Sequence, residues 1–164
     1  RHIEDSLQLS CFIRNTTHCW LDIGSGGGLP GLPIAIHVRS EGLDIHVCLV
    51  ECDGRKAAFL RHISALLDLN VRIVADRIED VPCQSADIVS ARAVASLDVL
   101  LGYAMKHLSP EGRCLFLKGT NFQSEIQAAK RKFTFDSVCH PSRTGSNGVI
   151  LEAWNVNRLG CAGP

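Results

Sequence analysis

Four glycines within five residues, Gly24, Gly26, Gly27 and Gly28, follow the short apolar run from Cys19 to Ile23 and precede an apolar segment that opens at Pro30. An apolar strand that stops at glycines and re-enters as a helix is the turn around which open α/β sheets are wound. Glycine permits positive φ there and lets the backbone approach a ligand with no Cβ in the way. The rest of the chain continues the alternation. Ile3, Leu7 and Cys11 recur at helical spacing over the first dozen residues, residues 30–39 suit a helix entered through proline, and residues 45–50 form a second buried strand. Phe59, Ile63, Leu66 and Leu67 mark one face of a helix over residues 55–68, with Asn70 as its end. Strands are expected at 71–75 and 86–90, a helix at 97–108, a turn at Ser109-Pro110-Glu111-Gly112 and a strand at 113–117. A helix around 124–132 and strands near 133–139 and 149–155 follow. The expected architecture is a doubly wound, mostly parallel α/β sheet with helices on both faces and an antiparallel hairpin at one edge.

Bulk properties narrow the functional classes. With 164 residues, 46% of them hydrophobic, the chain suits one domain spanning 1–164. Its apolar runs fall far short of the roughly 20 residues of a membrane span, and the opening residues lack the regions of a signal peptide. Because the chain begins at Arg1, it reads as lacking its natural start. Lys plus Arg equals Asp plus Glu at 17 each, so affinity for a polyanion has to come from a local patch. Eight cysteines sit in strand-like and helix-like runs without framework spacing, which favours a reduced, cytoplasmic protein. Cys48 and Cys52 bracket a strand that holds them roughly 13 Å apart, too far to share a metal. The seven histidines show no ligand spacing, so no metal site is expected.

In sheets of this kind ligands bind beyond the carboxyl ends of the strands. Asp22, Gly24, Gly26 and Gly28 stand at the end of the first strand, and Glu51 stands at the end of the second, where a carboxylate can accept from both ribose hydroxyls of a nucleoside. The alternatives are a plain tight turn and a solvated strand-end acid. Asp76-Arg77-Ile78-Glu79 follows the third strand and suits either the frame of an adenine ring or a helix cap. Gly26-x-Gly28-x-x-Gly31 also fits a dinucleotide fingerprint. Pro30, however, removes an N–H from the segment that would bind a pyrophosphate, and Asp22 offers an acid where the ammonium of S-adenosylmethionine needs a partner. The favoured cofactor is therefore S-adenosyl-L-methionine, and a nicotinamide-dependent oxidoreductase is the rival from another class.

Arg1-His2-Ile3-x-Asp5-Ser6-Leu7, the loop from Leu21 through Gly-Leu-Pro-Gly-Leu-Pro to Pro33, Gly54-Arg55-Lys56-x-x-Phe59-Leu60, Ser90-Ala91-Arg92-Ala93 and Leu117-Lys118-Gly119 together resemble the bacterial RsmG (GidB) family. The resemblance spans nearly the whole chain. It implies the class I S-adenosylmethionine-dependent methyltransferase (Rossmann-like) fold and methylation of nitrogen-7 of a guanine in 16S ribosomal RNA, with that RNA or the small ribosomal subunit as partner. A monomer is expected. By the same resemblance Gly24 and Leu29 touch the cofactor, Ile78 and Glu79 meet the adenine, Arg92 closes the site and Lys118 is the lysine after the fifth strand. The family has additional helices ahead of Arg-His-Ile, and this chain starts there. Arg92 and Lys118 are the candidate catalytic pair, the plain alternative for Arg92 being a surface arginine bonded to Asp87. Lys130-Arg131-Lys132 with Arg143 could meet phosphate or serve as a basic helix end. A methyltransferase of this fold acting on a small molecule or protein, and a non-catalytic RNA-interaction module, are the other readings.

Overall fold

The computed structural model describes residues 2–144 and 148–160; Arg1 of the opening motif lies outside the described residues. Seven strands, β1 (Cys19–Ile23), β2 (His46–Val50), β3 (Val71–Val74), β4 (Ala86–Arg92), β5 (Leu108–Lys118), β6 (Phe133–Pro141) and β7 (Val149–Arg158), form one sheet in the order β3-β2-β1-β4-β5-β7-β6. The first five are parallel, while β7 runs antiparallel between β5 and β6. The expected edge hairpin is therefore present, with its second strand placed inside the first.

Strand order reverses at the β1–β4 pair, where Ile23 lies opposite Ala91, so Gly24 and Arg92 emerge side by side at the switch point. Alternation along β1 sends Trp20 and Asp22 to one face and Leu21 and Ile23 to the other. On the first face α1 (His2–Leu7), a 3-10 turn (Gln8–Phe12), α2 (Gly31–Ser40) and α3 (Gly54–Leu66) cover a core of Leu9, Trp20, Ile34, Leu49, Leu60 and Ile88. On the second, α4 (Leu97–His107) and α5 (Phe122–Ala129) cover Leu21, Ile23, Val89, Leu101, Phe116 and Phe133. No helix among the described residues is long and apolar enough to cross a membrane.

Three sequence expectations are corrected. The proposed face of α3 is largely wrong: Ala57, Leu60 and Ser64 are buried and Ile63 packs partly against the core, whereas Phe59, Leu66 and Leu67 are exposed. Small Ala57 and Ser64 flanking Leu60 let the helix lie close to the sheet, and periodicity alone cannot say which side the sheet is on. The helix ends at Leu66, with Asp68 at φ +50°, ahead of the expected stop at Asn70. The turn at 109–112 is absorbed into β5: Ala86 pairs with Leu108 and Ile88 with Arg113, so the intervening residues bulge out of register. Gly112 allows this, since a Cβ there would lie 2.6 Å from the Ala86 carbonyl oxygen.

The hairpin is fastened to the chain's first segment by charge. Arg113 Nη1 donates to Glu152 Oε1 at 2.8 Å, and His140 Nε2 lies 3.0 Å from Glu152 Oε2. Arg113 Nη2 also donates to the Phe12 carbonyl, and the Phe12 ring packs edge-on against His140 at 4.9 Å.

Candidate functional site

The glycine loop takes the conformation its composition demands, with Gly24, Gly26 and Gly28 at φ +62°, +55° and +96°. Each is glycine for a different reason. A Cβ on Gly24 would strike Val94, one on Gly28 would strike Leu32 at 2.3 Å, and one on Gly26 would meet nothing closer than 3.8 Å. Gly24 thus lets the segment after β4 close over the loop, Gly28 serves packing, and Gly26 leaves open space over exposed backbone. Leu29 is half-buried, and its amide donates to the Ser25 carbonyl at 3.1 Å. Pro30, which has no N–H, stands at the N-terminal boundary of α2.

Glu51 holds this loop. Its Oε2 accepts from the Gly26 amide at 2.7 Å and its Oε1 from the Asp53 amide at 2.8 Å, so one carboxylate pins the end of β1 to the start of α3. Each oxygen keeps a second lone pair for a further donor.

Asp22 lies beneath the loop and is fully buried. Ser90 Oγ donates to its Oδ1 at 2.7 Å while accepting from Trp20 Nε1 at 2.8 Å, a buried chain that joins β1 to β4 on one face. Among the described residues Oδ2 has no hydrogen-bond partner of normal geometry, and it faces the start of α2, where a Cβ on Gly31 would sit 2.8 Å from it. Burial pushes the Asp22 carboxyl up to about 6, with the Ser90 and Ser25 hydroxyls, the nearby Gly31 amide and the Arg92 charge opposing that rise.

Two clefts flank residues 92–94. The first, of about 170 Å³, is walled by Ile23, Gly24, Val50, Ile78, Val94 and Tyr103, with Cys52, Asp76 and Glu79 among its polar lining. Ile78 and Glu79 thus meet Gly24 here, and Tyr103 Oη donates to Glu79 Oε1 at 2.9 Å. Its own backbone amide first, then the Tyr103 hydroxyl and Arg77 at 3.2 Å, hold the Glu79 carboxyl below the usual range against the opposing effect of burial. The second cleft, of about 440 Å³, is lined by His2, Asp5, Arg92, Ala93, Lys118 and Ser142 among others. Ala93 holds φ +52°, a conformation disfavoured for a residue with a Cβ, and the chain passes there from the lining of the second cleft to Val94 in the lining of the first.

Arg92 makes no ion pair among the described residues. Asp87, its suggested partner, instead accepts from the His18 and Cys19 amides and the Ser109 hydroxyl. Lys118 is differently placed: its ammonium donates to Glu125 Oε2 at 2.7 Å and to the Ala95 carbonyl at 3.0 Å, with 7% of its side chain exposed. It ties the segment after β4 to α5. Asp5 accepts from Ser142 Oγ and Thr144 Oγ1, both at 2.6 Å, closing the far wall of the second cleft. Val94 and Tyr103 were not legible in the sequence, and neither was the bonding role of Ser90, because these arise from contacts across the fold with no spacing to announce them.

The open backbone at Gly26, the spare acceptors of Glu51 and the apolar wall of Ile78 and Val94 fit S-adenosylmethionine. The chain matches the family model described as rRNA small subunit methyltransferase G (GidB) over residues 1–149. It is 47% identical over 152 residues to the ribosomal RNA small subunit methyltransferase G of Cereibacter sphaeroides, covering 93% of this chain and 73% of that protein. To the protein of the same name from a Jannaschia species it is 42% identical, covering 92% of this chain and 72% of that one. In fold it resembles a SAM-dependent methyltransferase from Aquifex aeolicus (TM-score 0.71, 11% identity, 93% and 90% covered). A ribosomal protein L11 methylase from Lactobacillus delbrueckii is similarly close (TM-score 0.69, 17% identity, 94% and 77% covered). The sheet is thus that of the class I methyltransferases, and the chain belongs to the GidB family, the rRNA small subunit methyltransferases G.

Proposed function

We propose that this chain transfers a methyl group from S-adenosylmethionine to nitrogen-7 of a guanine in 16S ribosomal RNA. The observation that carries this reading is the pair of clefts on either side of residues 92–94 in a chain of this family, one beside the glycine loop and the other lined by an arginine that makes no ion pair among the described residues. The cofactor supplies an electrophilic methyl on a sulfonium. The protein's task is to hold and orient. Glu51 accepts from the ribose hydroxyls through its spare lone pairs, Ile78 packs against the adenine with Glu79 at its edge, and the Gly24–Gly26 backbone approaches the amino-acid end.

Nitrogen-7 of guanine carries an in-plane lone pair and no proton at neutral pH, so it attacks without a general base. Positive charge appears on the purine as it leaves sulfur, and a hydrogen bond to nitrogen-7 would occupy the attacking lone pair. Arg92 therefore serves by holding oxygen-6 or a phosphate, contacts that suit its planar fork. Lys118, whose ammonium is committed to Glu125 and Ala95, acts as a positioning residue for the segment that carries Arg92. Rate enhancement comes mainly from orientation.

Incubation with methyl-labelled cofactor and unmethylated small-subunit RNA, as naked RNA and as assembled subunits, tests the reading. Label on a guanine of 16S RNA, located by mass spectrometry as a 7-methylguanine, is expected. Label on neither substrate would overturn it.

A further inference from the structure

Ala57, Leu60 and Ser64 of α3 face the sheet. At 3.6 residues per turn this leaves Arg55, Phe59, His62 and Leu66 as a stripe on the opposite side, with Lys56 at its flank. All five are exposed, Phe59 to 48% and Leu66 to 70%. Neither Arg55 nor Lys56 makes an ion pair among the described residues. Both sit in the first turn of α3, where the helix dipole disfavours positive charge. Only the Asp53 side chain, accepting from their two amides at 2.8 and 3.2 Å, offsets that placement. Helix stability does not account for them.

We propose that this outward stripe of α3 is a docking surface for RNA, with Arg55 and Lys56 on phosphates and an unstacked base on Phe59. The proposal rests on the methyltransferase reading above and names a contact between its substrate and a part of the chain outside both clefts. Net charge is zero, so affinity for a polyanion must be concentrated locally. The stripe is such a concentration, and it begins beside the site: the Asp53 amide donates to Glu51, and Cys52 lines the first cleft. Lys56 and Arg55 precede Phe59 by three and four residues, so all three share one patch of helix surface. An exposed aromatic ring between cations is the combination that grips single-stranded or looped RNA, stacking holding the base and charge the backbone.

The test measures binding of the full chain to protein-free 16S RNA and to small subunits across a range of salt, for the parent, Phe59→Ala, Phe59→Tyr and Arg55→Ala/Lys56→Ala. Phe59→Ala should weaken RNA binding by about tenfold, the scale of one lost base stack, and Phe59→Tyr should retain it. The double variant should bind RNA more weakly and flatten the log–log salt dependence by about 1.5, the equivalent of two phosphate contacts. Affinity for S-adenosylmethionine should stay at the parental value in all three, and the melting temperature should not fall. RNA affinity unchanged in both alanine variants, or a parent with no RNA affinity, would overturn the surface. So would losses confined to assembled subunits, which would assign the stripe to a ribosomal protein. A parent that methylates no RNA defeats the methyltransferase reading itself, whereas a methylating parent matched by its variants defeats only the docking surface.

Discussion

At the scale of single residues, the loop is governed by two acids with opposite situations. Glu51 has both oxygens occupied by backbone amides, so Glu51→Ala releases Gly26 and Asp53 together as well as removing the ribose acceptor. Cofactor affinity should fall by about 1–3 kcal/mol, the scale of unpaired polar partners in a site. Calorimetric titration with S-adenosylmethionine checks this, and an unchanged dissociation constant would leave Glu51 a merely structural clamp. Gly26→Val should abolish binding, because a β-branched residue does not tolerate φ +55° and its side chain fills the open space over the loop. Asp22 has the reverse problem, a fully buried carboxyl with one oxygen unsatisfied among the described residues. In the folded protein it keeps its proton up to about 6, against an ordinary 3.8. Between those values the native state binds more protons than the unfolded one, so this group's contribution to stability falls as pH rises through that window and is level above it. Asp22→Asn cannot titrate. Melting temperatures measured across the window should move in favour of the variant as pH rises, and curves that stay parallel would show that Asp22 is not the titrating group.

At the scale of elements, the buried Arg113–Glu152 pair, with half-exposed His140 beside it, makes a sharper claim. The Arg113 and Glu152 side chains are 8% and 12% exposed, so Glu152→Ala leaves a buried guanidinium without its counter-charge. A loss of about 3–5 kcal/mol in chemical denaturation is expected on the scale of broken buried pairs. A loss under about 1 kcal/mol would place the pair with surface ion pairs instead. The strands were largely legible in the sequence because short apolar runs bounded by glycine, proline and charge have few alternatives in a chain of this alternation. The glycine loop was legible for the same reason. What escaped was directional. Phe59, Leu66 and Leu67 carry a true helical period, yet the period does not reveal that Ala57 and Leu60 form the inward face. Likewise Ser109 to Gly112 have turn composition, and only the pairing of Ala86 with Leu108 shows the chain holding its place in the sheet. The Trp20–Ser90–Asp22 chain links residues about seventy positions apart, beyond the reach of local pattern.

At the scale of the whole molecule, the reversal of strand order between β1 and β4 places the cofactor loop and the β4 terminus side by side, and α4 and α5 hold that terminus through Lys118, Glu125 and Ala95. The architecture therefore separates holding the cofactor from presenting the base. Arg92→Ala should lower the single-turnover methylation rate with little change in cofactor affinity, since Arg92 lines the second cleft and the glycine loop stands beside the first. Lys118→Ala should do the same less directly, by loosening the segment after β4 and leaving Glu125, among the described residues, with only the Leu97 amide. If both variants kept parental rates, the second cleft would not be where the base is presented. The chemistry adds a constraint on pH. Attack by nitrogen-7 needs no proton removed, so the rate of the chemical step should stay nearly flat from about pH 6.5 to 8.5, where no essential base has to titrate. His2 lines the second cleft and is the imidazole nearest to hand for a base, so the profile of His2→Ala is the sharper measurement. A flat profile in parent and variant alike is the expected result. A bell-shaped parental profile that His2→Ala abolishes would mean that a proton is transferred in the rate-limiting step, and the acceptor atom would then have to be one that carries a proton in the free RNA.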